Sequence, residues 1–326
     1  MTSARRTRTA ARRRRRRQRR GALLAVLALA ATGLWLHRER SDGGTVPVAA
    51  AAVSAAPEVD PDAELAAAVQ DSGGHLAVAV LDTASGASAA YGTDRFVTAS
   101  IVKVDILAAL LWRSGGMLTE EQRTAAALMI ENSDNDATTD LFGQIGKDEG
   151  LDAANAAFGL TGTTAGTDGY WGLTTTTAED QLRLLQMVFG TDGVLGDESR
   201  AYLQKLMGLI AADQRWGVSA ADDDHAVHLK NGWLPRTAEG AWVINSIGRV
   251  VHDGRELLVA VLTDGSDTEE EGIALVESVA TAAADSLTSA TPSATVSPTA
   301  SPTVSPAASP AASGAEASPV AASTQR

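Results

Sequence analysis

Apolar positions along the chain change period twice, and the changes mark out the elements. The run His75 to Leu81 (HLAVAVL) has strand character, and the turn residues Asp82 to Gly86 lead into a second short strand ending near Tyr91. From Ser100 onward the spacing becomes helical. It predicts helices over Ile101–Trp112, over Thr119–Met129 with Thr119 and Gln122 placed as a capping box, and over Asp136–Ile145. A further helix starts at Thr177 and buries Leu182, Leu185, Met187, Val188 and Phe189, and another spans Glu198–Ile210. Strand character then returns. Ala226–Gly232 alternates, with Val227 and Leu229 on one face and His228 and Lys230 on the other. Gly240–His252 and Glu256–Thr263 flank an Asp253-Gly254 hairpin signal, and Glu270–Leu287 reads as a closing amphipathic helix. A helix beginning at Pro61, capped by Asp60, precedes the first strand. Strands, then many helices, then strands predict an α/β chain of the α+β type. Its antiparallel sheet is flanked by helices, and an all-helical subdomain is inserted after the second strand.

The two ends of the chain do not share this pattern. Residues 1–20 hold eleven arginines and no acid, whereas residues 41–326 carry 14 Lys and Arg against 39 Asp and Glu. The uncharged stretch 21–36 (GALLAVLALAATGLWL) follows the arginines directly. Its sixteen residues are short for a membrane span of about 20 residues. The arginine flank sets the N-terminus in the cytoplasm and exports the remainder. We read 21–36 as an uncleaved signal anchor in the membrane, with a cleaved signal peptide as the alternative. The location expected is therefore a single-pass membrane protein with an extracytoplasmic domain, or a secreted one if the signal is removed. That placement argues against the other reading of the arginines, a nucleic-acid arm, and no nucleic-acid partner is expected. Residues 37–62 form a linker, 63–287 the folded domain, and 288–326 a disordered Ser/Thr/Pro/Ala tail. The chain has no cysteine, which excludes disulfides, thiolate metal sites, a cysteine nucleophile and a lipid-modified cysteine.

Candidate chemistry begins at Ser100-Ile101-Val102-Lys103. One helical turn places the lysine on the serine's face. A serine hydroxyl needs a neighbouring base, and a lysine amine serves if burial or a second cation lowers its pKa. Two more short motifs follow in order: Ser133-Asp134-Asn135 between helices, and Lys230-Asn231-Gly232 on a strand. Two of the chain's four lysines fall in these motifs. Taken singly, the second motif is also a good helix cap and the third a good surface hairpin. The acidic run Asp222-Asp223-Asp224-His225 with His228 reads as a loop before a strand, and no metal site is expected.

The ordered set of three motifs, from about Leu65 to Leu287, resembles the class A β-lactamase and penicillin-binding serine hydrolases, of an actinobacterial exported type. The resemblance implies a monomeric enzyme without metal or organic cofactor, acting on a β-lactam or a peptidoglycan-like small substrate. It implies that Ser100 forms an acyl-enzyme, that Lys103 takes its proton, and that Ser133 bridges Lys103 to Lys230 and passes a proton to the leaving nitrogen. Asn135 would bind the substrate amide, and Lys230, Asn231 and Gly232 its carboxylate end. The N–H groups of Ser100 and Trp233 would form the oxyanion hole.

Three departures from that pattern bear on activity. The segment 159–174 (GLTGTTAGTDGYWGLT) lacks the family's water-activating glutamate, leaving Asp168 as its only acid and the candidate replacement. Ser100 and Ser133 are closer in sequence than in the family, which predicts a lower cleft wall. Asn231 stands where a hydroxyl residue is usual. Trp171 and Trp233 are expected near the cleft, and Arg236 is a candidate carboxylate partner. The reading is an acylating serine hydrolase with slow deacylation. The alternative is a non-hydrolytic envelope protein that keeps the fold and binds peptidoglycan or a partner.

Overall fold

A computed structural model describes residues 60–235 and 241–289. The arginine-rich segment, the apolar stretch 21–36, most of the linker, Arg236 and the tail beyond residue 289 lie outside the described residues. No described helix is long and apolar enough to cross a membrane.

The chain enters through helix α1 (Pro61–Val69), where Asp60 accepts from the Asp62 N–H at 3.1 Å and Pro61 occupies the first turn, as expected. Strands β1 (His75–Asp82) and β2 (Ser88–Tyr91) pair as an antiparallel hairpin. A two-residue strand β3 (Phe96–Val97) precedes the helical part: α2 (Val102–Ser114), α3 (Glu120–Glu131), α4 (Asn135–Gln144) and α5 (Lys147–Phe158). A loop carrying β4 (Thr175–Thr176), which pairs with β3, leads to α6 (Ala178–Phe189) and α7 (Asp197–Gly208). Strands β5 (His228–Pro235), β6 (Trp242–His252) and β7 (Arg255–Ser266) and helix α8 (Glu269–Ser289) complete the fold. The sheet is antiparallel in the order β2-β1-β7-β6-β5. The inserted helical subdomain is thus observed, and β5 is an edge strand.

Both faces of the central strands are buried, and the strand period assigns each side chain to a core. Leu76, Val78 and Val80 of β1 and Leu257, Val259 and Val261 of β7 pack with Val276, Val279, Ala280 and Ala283 of α8. The intervening Ala77, Ala79, Leu258, Ala260 and Leu262 pack under the helical subdomain, whose central element is α2. Ten consecutive residues of α2, Val102 to Leu111, are buried. That explains its apolar run, and it also buries Lys103 and Asp105.

Local signals set the element boundaries to within a few residues. The Thr119–Gln122 capping box is formed in both directions, at 2.9 and 3.2 Å. Asp253 and Gly254 both take positive φ in the β6–β7 hairpin, with His252 opposite Arg255. Helix α5 has no counterpart in the expected elements. Its buried face is Gly150, Leu151, Ala154, Asn155 and Phe158, where small and polar residues replace the bulky stripe that signals a helix.

Candidate active site

The three motifs meet where α2, the α3–α4 connection and edge strand β5 converge. Ser100 lies in a 3₁₀ turn (Ala99–Ile101) that runs into α2. Ala99 has φ 47°, a conformation disfavoured for a residue with a side chain, so the turn is held by its surroundings. The holding contacts are specific. Asn245 of β6 donates from Nδ2 to the carbonyls of Val97 and Thr98 at 2.8 and 3.1 Å, while its Oδ1 accepts the Thr263 N–H. The Thr98 N–H donates to the Thr174 carbonyl at 2.8 Å, tying the turn to the loop before α6. Gly232 of β5 abuts the same turn. A Cβ there would stand 2.6 Å from the Thr98 carbonyl and 2.8 Å from the Ser100 nitrogen, so only glycine lets the edge strand come this close.

Lys103, one helical turn beyond Ser100, is fully buried. Its Nζ donates to the Ser133 carbonyl at 2.7 Å and to Asn135 Oδ1 at 2.8 Å, and lies 3.0 Å from Ser133 Oγ. Lys230 reaches the same hydroxyl from β5. Its Nζ donates to Ser133 Oγ at 3.0 Å and to the Asn231 carbonyl at 3.0 Å. One serine hydroxyl therefore lies between two buried amines. Ser133 is held there at φ 56°, at the start of a turn that Asp134 closes by accepting the Ala137 N–H. Burial lowers the Lys103 pKa to about 7, against a smaller opposing effect from Asp134. Burial, and secondarily the Lys103 charge, hold Lys230 well below the ordinary lysine range. Neither amine forms an ion pair with a described carboxylate. The half-buried Ser100 hydroxyl makes no hydrogen bond among the described residues.

Asn135 is exposed, with its Oδ1 turned to Lys103 and its amide NH2 free of described partners. Two expectations change. Asn231 is not available to a substrate. Its Nδ2 donates to the carbonyls of Gln214 and Trp216 at 2.7 and 3.0 Å, and its Oδ1 accepts from Ser246 Oγ at 2.6 Å. Strand alternation explains this: Lys230 and Gly232 face Ser133 and Ser100, so Asn231 faces the opposite side, where it is fully buried. Trp233 shares that side and meets Trp216 edge to face at 5.9 Å between ring centroids. Asp168, in turn, is not joined to the cluster. It sits at φ 55° in an exposed turn and makes no hydrogen bond or ion pair among the described residues. The residue of that loop that reaches Lys103 is Trp171, whose ring centroid lies 4.9 Å from Nζ and whose Nε1 donates to Thr139 Oγ1 at 3.1 Å.

Two supporting residues escaped the motif reading. Asn245 shows in sequence only as a polar break in Trp242-Val243-Ile244-Asn245. Asp105 breaks the apolar run after Lys103; it is fully buried with neither carboxylate oxygen hydrogen-bonded. A cavity of about 690 Å³ opens between α6 and β7, but it shares no residue with this cluster.

The chain has similar proteins among those already known. A sequence profile described as the Beta-lactamase enzyme family matches residues 117–287, more than half of the chain. The chain belongs to that family. The match takes in Ser133 and Lys230 and begins after Ser100 and Lys103. "Putative lipoprotein LppW" of Mycobacterium tuberculosis is 26% identical over 219 residues, which cover 64% of this chain and 69% of that protein. Among solved structures, a class A beta-lactamase from Bacteroides cellulosilyticus aligns at a TM-score of 0.60 and 19% identity, covering 70% of this chain and 99% of its own. A beta lactamase from Burkholderia vietnamiensis aligns at 0.59 and 24% identity, covering 72% and 98%. These likenesses show the class A β-lactamase fold.

Proposed function

We propose that this member of the Beta-lactamase enzyme family is an exported serine hydrolase that forms an acyl-enzyme on Ser100. The observation that carries the reading is the Ser133 hydroxyl held between Lys103 and Lys230, both buried and both depressed in pKa. Near neutral pH a substantial fraction of Lys103 is then the free amine, with a lone pair to receive a proton. The Ser100 oxygen attacks the substrate carbonyl, and its proton passes to Lys103. Ser133 gives its proton to the leaving group and takes the serine proton back from Lys103, while Lys230 holds the Ser133 hydroxyl in place. The N–H groups of Ser100 and Trp233, on either side of the Gly232 contact, stabilise the developing oxyanion. Asn135 offers its free amide NH2 to the substrate amide.

Deacylation is slow in this reading. No described carboxylate contacts Lys103, and an indole covers it. A water near the acyl carbonyl lacks the acid–base partner that would activate it. The substrate belongs to the cell envelope, in keeping with the name of the mycobacterial relative and with the arginine-flanked apolar stretch 21–36.

The test is intact mass after exposure of the full chain to a labelled penicillin and to an activity-based serine probe. The expected result is a single adduct, lasting minutes or longer, that is absent in Ser100→Ala. Absence of an adduct with every acylating probe would instead establish the non-hydrolytic alternative.

A further inference from the structure

Trp171 reaches Lys103 from a short turn that packing does not hold. The 3₁₀ turn Trp171–Leu173 buries none of its three residues, and Tyr170 and Leu173 are 65% and 41% exposed. Its position is set instead at the base of the loop 159–174, where a buried hydrogen-bonded cluster joins the loop to β4 and α6. Thr163 Oγ1 donates to Asp180 Oδ2 of α6 at 2.7 Å and lies 2.8 Å from Thr176 Oγ1 of β4, to which Gln181 Nε2 donates at 3.0 Å. Thr176 and Gln181 are fully buried, and Thr163 and Asp180 nearly so. Gly162 lies against the start of α6: a Cβ there would stand 2.9 Å from Thr177 Cγ2 and 3.2 Å from Asp180 Oδ2. Above this base the two arms of the loop close on each other. Thr164 and Thr175 exchange N–H···O bonds of 2.9 Å, the Gly166 N–H donates to Thr174 Oγ1 at 3.1 Å, and that hydroxyl donates to the Trp171 carbonyl at 2.7 Å. A path of backbone and hydrogen bonds thus runs from the Asp180 carboxylate to Trp171.

We propose that Thr163, Thr176, Asp180 and Gln181 form a buried latch that holds Trp171 over Lys103, and that they are positioning residues for acylation. For its effect on the reaction the inference rests on the acyl-enzyme reading. The bond that carries it is the one from Thr163 to Asp180. Breaking that bond leaves a buried carboxylate oxygen that is satisfied only by admitting water, so the base of the loop opens. The turn above has no packing of its own to keep its place, and the indole moves off Lys103. The amine then gains hydration, which favours its charged form. Among the described residues, none of the four latch side chains hydrogen-bonds to Lys103, Ser133 or Lys230. Losing the latch therefore leaves the reacting groups in the chain and changes the pH at which Lys103 becomes a free amine.

The experiment takes two readouts on the full chain between about pH 5.5 and 9. One is the p-nitrophenolate burst with p-nitrophenyl butyrate. The other is competitive acetylation of Lys103 by acetic anhydride, measured by peptide mass against the exposed Lys147 and Lys205, which needs no reaction at Ser100. Thr163→Val keeps the side chain's shape and removes its hydroxyl; both pH midpoints should rise by about half a unit or more, while Thr163→Ser keeps the wild-type values. Gly162→Ala, which pushes the loop base off α6 and leaves the hydroxyl in place, should raise them as well. Adding Thr163→Val to Trp171→Ala should shift nothing further, since both act through the indole. Unmoved midpoints in whichever of Thr163→Val and Gly162→Ala fold would overturn the latch. So would full additivity with Trp171→Ala, or a shift in Thr163→Ser as large as that in Thr163→Val. A raised acetylation midpoint with no burst in any chain would keep the latch and overturn the acyl-enzyme reading instead.

Discussion

At the scale of single residues, the proposed chemistry turns on Lys103. Its depressed pKa makes the acylation rate rise with pH through about 7 and level off above, measured as the burst rate between pH 5.5 and 9. Replacing Ser133 by Ala leaves both amines without the oxygen they share and removes the relay. The burst rate should fall by roughly 10²–10⁴-fold while the fold persists. Trp171 acts on Lys103 in two opposing ways. Its ring face favours the ammonium by about 0.5–2 kcal/mol, whereas its bulk keeps water away. The depression from 10.5 to about 7 corresponds to roughly 5 kcal/mol of burial, the larger effect. Trp171→Ala should therefore move the acylation limb to higher pH, and Trp171→Phe much less. An unmoved limb in Trp171→Ala would show that the indole does not keep water from the amine.

The turn that leads into helix α2 and strand β5 act as a unit at the scale of elements, because a glycine lets them touch. Gly232→Ala sets a methyl against the Thr98 carbonyl and the Ser100 nitrogen, both backbone, so the strand or the turn must move. The expected outcome is loss of the burst together with a destabilisation of about 1–3 kcal/mol in urea titration. Helix α2 also carries Asp105 into the core. Burial first, and Asp180 second, raise its pKa to about 7. Between its unfolded value near 3.8 and that folded value, the native state holds more protons than the unfolded chain, so stability falls as pH rises through this window. From pH 5 to 8 the loss amounts to roughly 3 kcal/mol. Asp105→Asn should flatten that part of the stability curve, followed by thermal unfolding at both pH values. Most elements could be read from sequence, since capping boxes, hairpin signals and strand alternation are relations between near neighbours. Helix α5 was not, because Gly150, Ala154 and Asn155 are buried by tertiary packing rather than by their own hydrophobicity.

The molecule as a whole places a two-faced sheet between α8 and the helical subdomain, and the motifs meet at the sheet's edge. This position joins residues 30 and 97 apart in the chain, Lys103 with Ser133 and Lys230 with Ser133. Folding of the full sheet is therefore a condition of the site.

Residue order alone carried the family resemblance and the α+β order of elements, and it singled out Ser100, Lys103 and Lys230 as the residues of the proposed chemistry. Those conclusions depend on motif order and on contacts a few residues apart. Three things needed the tertiary arrangement. Asn231 turns into the α8 side because strand parity, fixed by the pairing of β5 with β6, gives Lys230 and Gly232 the face toward Ser133 and Ser100. Trp171, and not Asp168, is the loop residue that meets Lys103, because the loop's hydrogen bonds to Thr98 and Thr139 set its path. The charge on Lys103 follows from desolvation, which is a property of everything packed around an amine and of no spacing along the chain.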